Sequence, residues 1–431
     1  MKHKLALAAA AVSVALAGCA TSTDNGGNEG GGGGGDEPVT LRFQSLAFQE
    51  TTIQATKDIV SAWNEENPDV QVEYVQGSWD SVQDQLVTQF QGGTAPDIIQ
   101  YESAAMSQFA EQGYLADLSE HLSDEVMDAV SDDVWETVTY DDQVIAAPTL
   151  LQSYVVFANR QRLEQAGVEI PEGDTWSWDD FQAAAEATSA GGNNKFGLGW
   201  GLGDPTATMM SLGLNFGADY FEGEGEDVSI DVGEAELTLP ERIHEMVYDD
   251  GSLDPVTLTQ SGGDVMPGFL KGRYAMTVQG SYNAQTLSES APEGLDWMVM
   301  PALEAESAAQ AANPQTLSVS AQSEDVEGAA AFIDYYMQPE NLAKVAMGDW
   351  LIPASSESAD VILEETGGEN GWDAILASGE HLTKAPFQSA LSYPQWKDQI
   401  ATPAFQRYLG DEISADELAT QLTDGWESVS R

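Results

Sequence analysis

The hydrophobic pattern changes period four times between residues 40 and 101, and no other feature constrains the fold as strongly. Residues 40–46 read as a strand. Residues 51–64 then place Ile53, Val60 and Trp63 on one helical face, and Asn67-Pro68 ends the run. Val70, Val72 and Tyr74 alternate at period two. Val82, Leu86 and Phe90 return at helical spacing, Gly92-Gly93 stops them, and Pro96-Asp97 leads into a strand at 98–101. Strand, helix, strand, helix, strand predicts a mostly parallel α/β sheet, because parallel neighbours need a long crossover that a helix supplies. The pattern continues with a strand at 154–158, a helix at 160–166, and a helix opened by the capping pair Ser177 and Asp180. Strands at 274–278, 296–300 and 317–321 precede a helix at 326–337. A final helix is capped by Ser414 with Glu417 and carries Leu418, Leu422 and Trp426 on its apolar side.

The start of the chain is of another kind. Lys2 and Lys4 precede an apolar run at 5–16, then Leu16-Ala17-Gly18-Cys19, which reads as a secretory signal. The run is shorter than the roughly 20 residues a membrane helix needs, and no comparable run follows, so the mature chain is expected to have no transmembrane span. Cys19 is the only cysteine, which rules out an internal disulfide. Its setting resembles the lipobox of bacterial lipoproteins. That resemblance implies cleavage before Cys19, acylation of its thiol and anchoring in a lipid bilayer; ordinary secretion would instead cut after Ala15-Leu16-Ala17. Residues 21–37 include the run Gly30 to Gly35, cannot bury a core, and read as a tether reaching about 20 Å.

The remaining residues, close to 390 of the 431, are too many for one compact core and point to two lobes. Formal charge is -57, with 72 Asp and Glu against 15 Lys and Arg. Such a balance excludes nucleic acid and anionic lipid surfaces as natural partners of the folded region. The acids are spread along the chain rather than clustered, so they read as a solvated surface suited to high salt, where screening tolerates self-repulsion.

Six segments, taken in order, resemble a known family. They are Trp63-Asn64-Glu65-Glu66-Asn67-Pro68-Asp69-Val70, Gly93-Thr94-Ala95-Pro96-Asp97-Ile98 and Gly113-Tyr114-Leu115-Ala116-Asp117-Leu118. They continue with Asn159 and Ala166-Gly167-Val168, then Thr175-Trp176-Ser177-Trp178-Asp179-Asp180-Phe181, and Phe269-Leu270-Lys271-Gly272-Arg273-Tyr274-Ala275-Met276. Together they resemble the extracellular solute-binding proteins of sugar importers of the ATP-binding-cassette type, the maltose-binding-protein-like group. Two positions depart from that pattern: Gly280-Ser281-Tyr282 stands where Gly-Xaa-Trp is usual, and Trp350 precedes Leu351-Ile352-Pro353.

The resemblance implies a type II two-lobed periplasmic-binding-protein fold, each lobe a mostly parallel sheet flanked by helices, with the ligand between them. After a signal at 1–18 and a tether at 19–37, one lobe is expected from 38–149 with 282–338 and the other from 150–281 with 339–431. Crossings are expected near 150–153, 280–283 and 337–342. The implied ligand is a sugar or short oligosaccharide and the implied partners are permease subunits in the membrane. The protein is expected to be a monomer on the extracytoplasmic side, without cofactor or metal.

A sugar offers hydroxyls that need paired donors and acceptors, and ring faces that pack on aromatics. By position, Tyr101 and Glu102 follow a strand, Gln152 and Tyr154 sit at the first crossing, and Tyr282 sits at the second. Gln44, Trp200 and Trp350 complete the expected set, whereas Trp63 and Trp426 occupy helix faces and Trp176 and Trp178 flank a helix start, as packing residues do. Catalysis finds no support: there is no Gly-Xaa-Ser-Xaa-Gly, His-Glu-Xaa-Xaa-His, P-loop or dinucleotide fingerprint, and beyond the leader only His121, His244 and His381. A metal cargo on Tyr335-Tyr336 is a weaker alternative, since both fall in a helix. The stretch 222–231 lacks calcium-loop spacing and reads as a solvated loop. A polyamine or other cationic solute would suit the charge and stays open.

Overall fold

A computed structural model describes residues 38–189, 195–223 and 228–430. The leader, Cys19, the tether and part of the 222–231 stretch lie outside these residues. Among the described residues no helix is long and apolar enough to cross a membrane.

The first lobe is built on a six-stranded sheet in the order Ile352–Pro353, Ala147–Leu151, Gln315–Val319, Ile98–Glu102, Val39–Ser45, Val70–Gln76. Val39–Ser45 pairs in parallel with both its neighbours, and Gln315–Val319 inserts antiparallel between Ile98–Glu102 and Ala147–Leu151. Period-two alternation makes both faces apolar. Leu41, Phe43 and Ile98 meet helix Glu50–Glu66 and the helices Val326–Tyr336 and Pro339–Asp349. Leu46, Ile99 and Tyr101 meet Leu86 and Phe90 of helix Val82–Gly92 and Met106 and Phe109 of helix Ser103–Glu111. Edge-on aromatic contacts lock the first of these cores: Trp63 meets Phe332 at 5.7 Å and Tyr336 meets Phe43 at 6.0 Å.

The second lobe carries a four-stranded sheet in the order Trp297–Val299, Tyr154–Asn159, Tyr274–Gly280, Phe196–Trp200. Val156, Leu198, Trp200, Met276 and Val278 pack against helices Trp178–Ser189, Glu234–Tyr248, Thr402–Leu409 and Ala415–Val429. Helix Trp178–Ser189 lies so close to its strand that a Cβ at Gly197 would overlap the backbone of Ala185. Both expected caps are present: Ser177 Oγ accepts from the Asp180 amide at 3.1 Å, and Ser414 and Glu417 form a reciprocal capping box.

Three segments join the sheets. Residues 152–153 link Ala147–Leu151 to Tyr154–Asn159. Gln310–Ala311 pairs in parallel with Leu382–Thr383, and these two short strands carry the chain into Gln315–Val319 and back toward Ala385 and Phe387 of the second core. Gln310 braces this crossing against the first: its Oε1 accepts from the Tyr154 amide at 2.8 Å and its Nε2 donates to the Tyr154 carbonyl at 3.0 Å.

Two expected boundaries do not coincide with this pairing. Residues 280–283 are no crossing, because Trp297–Val299 still pairs with Tyr154–Asn159 in the second sheet. Residues 337–342 are none either: Pro339 opens helix Pro339–Asp349, whose Leu342 and Ala346 are buried in the first core, and Ile352–Pro353 joins the first sheet. Proline there marks a helix start rather than a change of lobe.

Candidate functional site

In open α/β sheets, ligands gather at the carboxyl ends of the strands. Here the strands Val39–Ser45, Val70–Gln76, Ile98–Glu102 and Ala147–Leu151 all end toward one place, delivering Phe48, Trp79, Glu102 and Gln152 to the wall of one cleft. The cleft has two chambers that share Glu102, Gln152 and Asn313. The larger of the two, of about 440 Å³, is lined by Tyr101, Tyr154, Phe387 and Tyr393 together with Lys397 and Asp398. The other, of about 360 Å³, is lined by Phe48, Trp79, Tyr282 and Asp349 among others. Phe48, 64% exposed, and Tyr282, 45% exposed, leave apolar surface uncovered at this position.

Hydrogen bonds fix the polar groups between the chambers. Asn313 Oδ1 accepts from Ser103 Oγ at 3.1 Å and from the Ala104 amide at 3.2 Å, which turns its Nδ2 toward Glu102 Oε2, also at 3.1 Å. On the second lobe, Lys397 Nζ lies 3.1 Å from Asp204 Oδ2, and Thr402 Oγ donates to the other Asp204 oxygen at 2.9 Å. Phe387 and Tyr393 pack with centroids 4.5 Å apart and ring planes tilted by 31°.

The phenols of the larger chamber are held protonated. Burial, with the Glu102 charge adding to it, pushes Tyr101 up to about 12. Tyr154 also rises to about 12, chiefly by burial, and the Thr208 hydroxyl partly offsets it. Tyr393 is raised further by burial and then by Asp204 and other neighbours. All three are hydrogen-bond donors at neutral pH. Burial lifts the Asp349 carboxyl to about 6, against the opposing hydroxyl of Thr52.

Of the residues expected from the sequence, Tyr101, Glu102, Gln152, Tyr154 and Tyr282 line the cleft. The other three do not. Trp200 is 1% exposed and stacks on Trp178 at 6.3 Å inside the second core. Gln44 is 4% exposed on the helix-covered face of its strand, beside Gly77. Trp350 caps helix Pro339–Asp349 in a left-handed conformation (φ 54°) and stacks on Trp372 at 5.0 Å, while its neighbours Asp349 and Leu351 reach the cleft. Sequence reasoning missed Phe48, Trp79, Asn313, Phe387 and Tyr393. Phe48 and Trp79 each fall three residues beyond a strand end, a signal it could have used.

Tyr335 and Tyr336 pack on Trp63 and Phe43 in the first core, away from the cleft. Among the described residues no group of three or more His, Cys, Asp or Glu converges as metal ligands would.

Residues 49–343 match the family model described as bacterial extracellular solute-binding protein. The chain belongs to that family. Among its relatives is an uncharacterized lipoprotein in the oleD 5'region of Streptomyces antibioticus, 39% identical over 412 residues, covering 95% of this chain and 88% of the relative. Two solved solute-binding proteins share the fold. One is the sugar-binding protein MalE of Xanthomonas citri, with a TM-score of 0.79 at 17% identity, covering 91% of this chain and 97% of that one. The other is the cyclic alpha-maltosyl-1,6-maltose binding protein of Arthrobacter globiformis, with a TM-score of 0.77 at 17% identity, covering 91% and 99%. The type II two-lobed architecture is thus that of solute-binding proteins.

Proposed function

We propose that this solute-binding protein captures a sugar or short oligosaccharide between its lobes, outside the cell, and delivers it to an importer of the ATP-binding-cassette type. The observation that carries the reading is the cleft wall, where aromatic rings alternate with amide and carboxylate groups. Rings cover the apolar faces of a pyranose, and Glu102, Gln152 and Asn313 answer its hydroxyls. The names of the two structural neighbours support the choice of cargo. Capture is reversible, and the crossing segments are the hinge about which the lobes close. Acylated Cys19 anchors the protein to the membrane, a step supported by the lipobox-like leader and by the Streptomyces lipoprotein.

A thermal-shift screen with mono- and oligosaccharides, polyamines and metal salts tests the cargo. A solute at one hundred times its dissociation constant adds about 2.7 kcal/mol to stability, a readable shift. No response to any sugar would overturn the reading. A cationic solute is the second reading, favoured by Glu102, Asp349 and Asp398 on the wall with Lys397 as the one base among the lining residues; a shift with polyamines alone would establish it. For the anchor, Cys19→Ala should release the chain from membranes into the medium, and retention of that variant would refute acylation.

A further inference from the structure

Asp349 stands on the wall of the smaller chamber, yet it is only 5% exposed. Close helix packing builds that burial. A Cβ at Gly348 would collide with Thr52, so the end of helix Pro339–Asp349 meets the start of helix Glu50–Glu66 backbone against backbone, and Thr51 Oγ1 donates to the Gly348 carbonyl at 3.1 Å. Thr52 Oγ1 in turn donates to Asp349 Oδ1. Oδ2 has no partner among the described residues and is the oxygen left for a ligand. We propose, resting on the sugar-binding reading, that Asp349 takes part in capture as a neutral acid: its Oδ2–H donates to a ligand oxygen, so binding takes up one proton from solvent and affinity falls as pH rises.

Among the described residues no cation is placed to hold the charged form. The smaller chamber is lined by no Lys, Arg or His. The two helices that meet at Asp349 carry one base each, Lys57 and Lys344, and both are exposed. Their acids Glu50, Asp58, Glu65, Glu66 and Glu340 are exposed as well. Helix Val326–Tyr336 presents the Tyr336 phenol, which is raised chiefly by burial, with the Thr56 hydroxyl opposing and the Asp349 charge adding. The remaining titratable groups of the chamber are Tyr282 and Glu102, and Leu150, Leu151 and Leu351 add apolar surface.

An ionised carboxylate in that setting loses water when a ligand covers it and gains no counter-charge, whereas the neutral acid exchanges one hydrogen bond to water for one to the ligand. In the free protein burial lifts Asp349 to about 6, so it is mostly neutral at pH 5 and mostly ionised at pH 8. With the bound state neutral throughout, affinity follows the neutral fraction of the free protein. It falls about tenfold from pH 5 to pH 7 and about tenfold more by pH 8. A cationic ligand would reverse the sign, because it favours the ionised form.

Calorimetry of the full chain in mild detergent tests this with maltose, maltotriose, cellotriose and xylotriose at pH 5, 7 and 8. For a sugar that binds, the dissociation constant should climb by those factors, and the heats measured at pH 7 in phosphate, HEPES and Tris should differ as uptake of about 0.9 proton requires. Asp349→Asn keeps an oxygen for Thr52 and places an amide donor where Oδ2–H stood, so its affinity should stay within about threefold of the parent's pH 5 value at all three pH values. Thermal unfolding at each pH confirms that both proteins are folded, and the parent's own pH and buffer dependence decides the matter should the variant fail to fold. A parent affinity that is flat or rises with pH, a heat of binding independent of buffer, or a folded Asp349→Asn variant that keeps the parent's slope overturns the proposal and leaves the sugar reading standing. Absence of binding by every sugar at every pH overturns both.

Discussion

Tyr282 is the cleft residue whose contribution can be worked most directly from the structure. The residue is 45% exposed. A tyrosine offers about 150–250 Å² for burial, so roughly 70–110 Å² remains for a ligand to cover. At about 25 cal/mol per Å² that surface is worth roughly 2 kcal/mol, and a sugar covering one face would realise half of it or more. Tyr282→Ala should therefore weaken binding by about 1–2 kcal/mol, roughly 5- to 30-fold in dissociation constant. The ring lies directly over Gly280, where an added methyl would collide with it. Gly280→Ala keeps an ordinary backbone conformation (φ -60°) and should act on binding only by displacing that ring. The double variant should then bind no more weakly than Tyr282→Ala alone. Calorimetry with the bound sugar measures all three, alongside thermal unfolding, where losses of about 1 kcal/mol or less are expected. A Tyr282→Ala affinity within twofold of the parent would refute the stacking argument, and additive losses in the double variant would refute the role given to Gly280.

Burial lifts Asp349 to about 6 from an unfolded value near 4, so the folded state holds the extra proton between those values and stability falls as pH rises through that window, by about 3 kcal/mol in all. Asp349→Asn keeps an oxygen for the Thr52 hydroxyl and should be more stable than the parent at pH 7 but not at pH 4; urea unfolding at both values checks it, and equal gains at both would refute it. Trp350→Ala breaks the stack on Trp372 and should cost about 2 kcal/mol of stability while leaving sugar affinity unchanged. A tenfold loss of affinity in that folded variant would return Trp350 to the site. With 72 acidic residues against 15 bases, most carboxylates have no cation to pair with, so melting temperature should climb as sodium or potassium chloride is raised. A flat or falling curve would sink the high-salt reading.

What the sequence made legible divides by the range of the interaction. Strands and helices were readable because apolar period is local: residues 98–101 and 154–158 announce the strands Ile98–Glu102 and Tyr154–Asn159 within a residue of their ends. The crossings after residue 280 were not, because they depend on which sheet a three-residue strand such as Trp297–Val299 joins, and its partner lies far back in the chain. The site shows the same division. Tyr101 and Glu102 close a strand and Gln152 follows one, so they could be named, whereas Phe387 and Tyr393 arrive on a return segment behind Leu382–Thr383, a two-residue strand too short to show a period. Trp200 misled for a physical reason. It stands between two glycines, where a Cβ at Gly199 would strike the Tyr274 ring and one at Gly201 the backbone of Gly262. Glycine there marks backbone packed too closely for a side chain, which buries the tryptophan between them. Around Tyr282 the same residue type has a different consequence, because Gly280 makes room for the tyrosine ring itself and leaves that ring facing the cleft. Glycine beside an aromatic therefore reports close approach in both cases, and only the partner that fills the space decides whether the ring is core or binding surface.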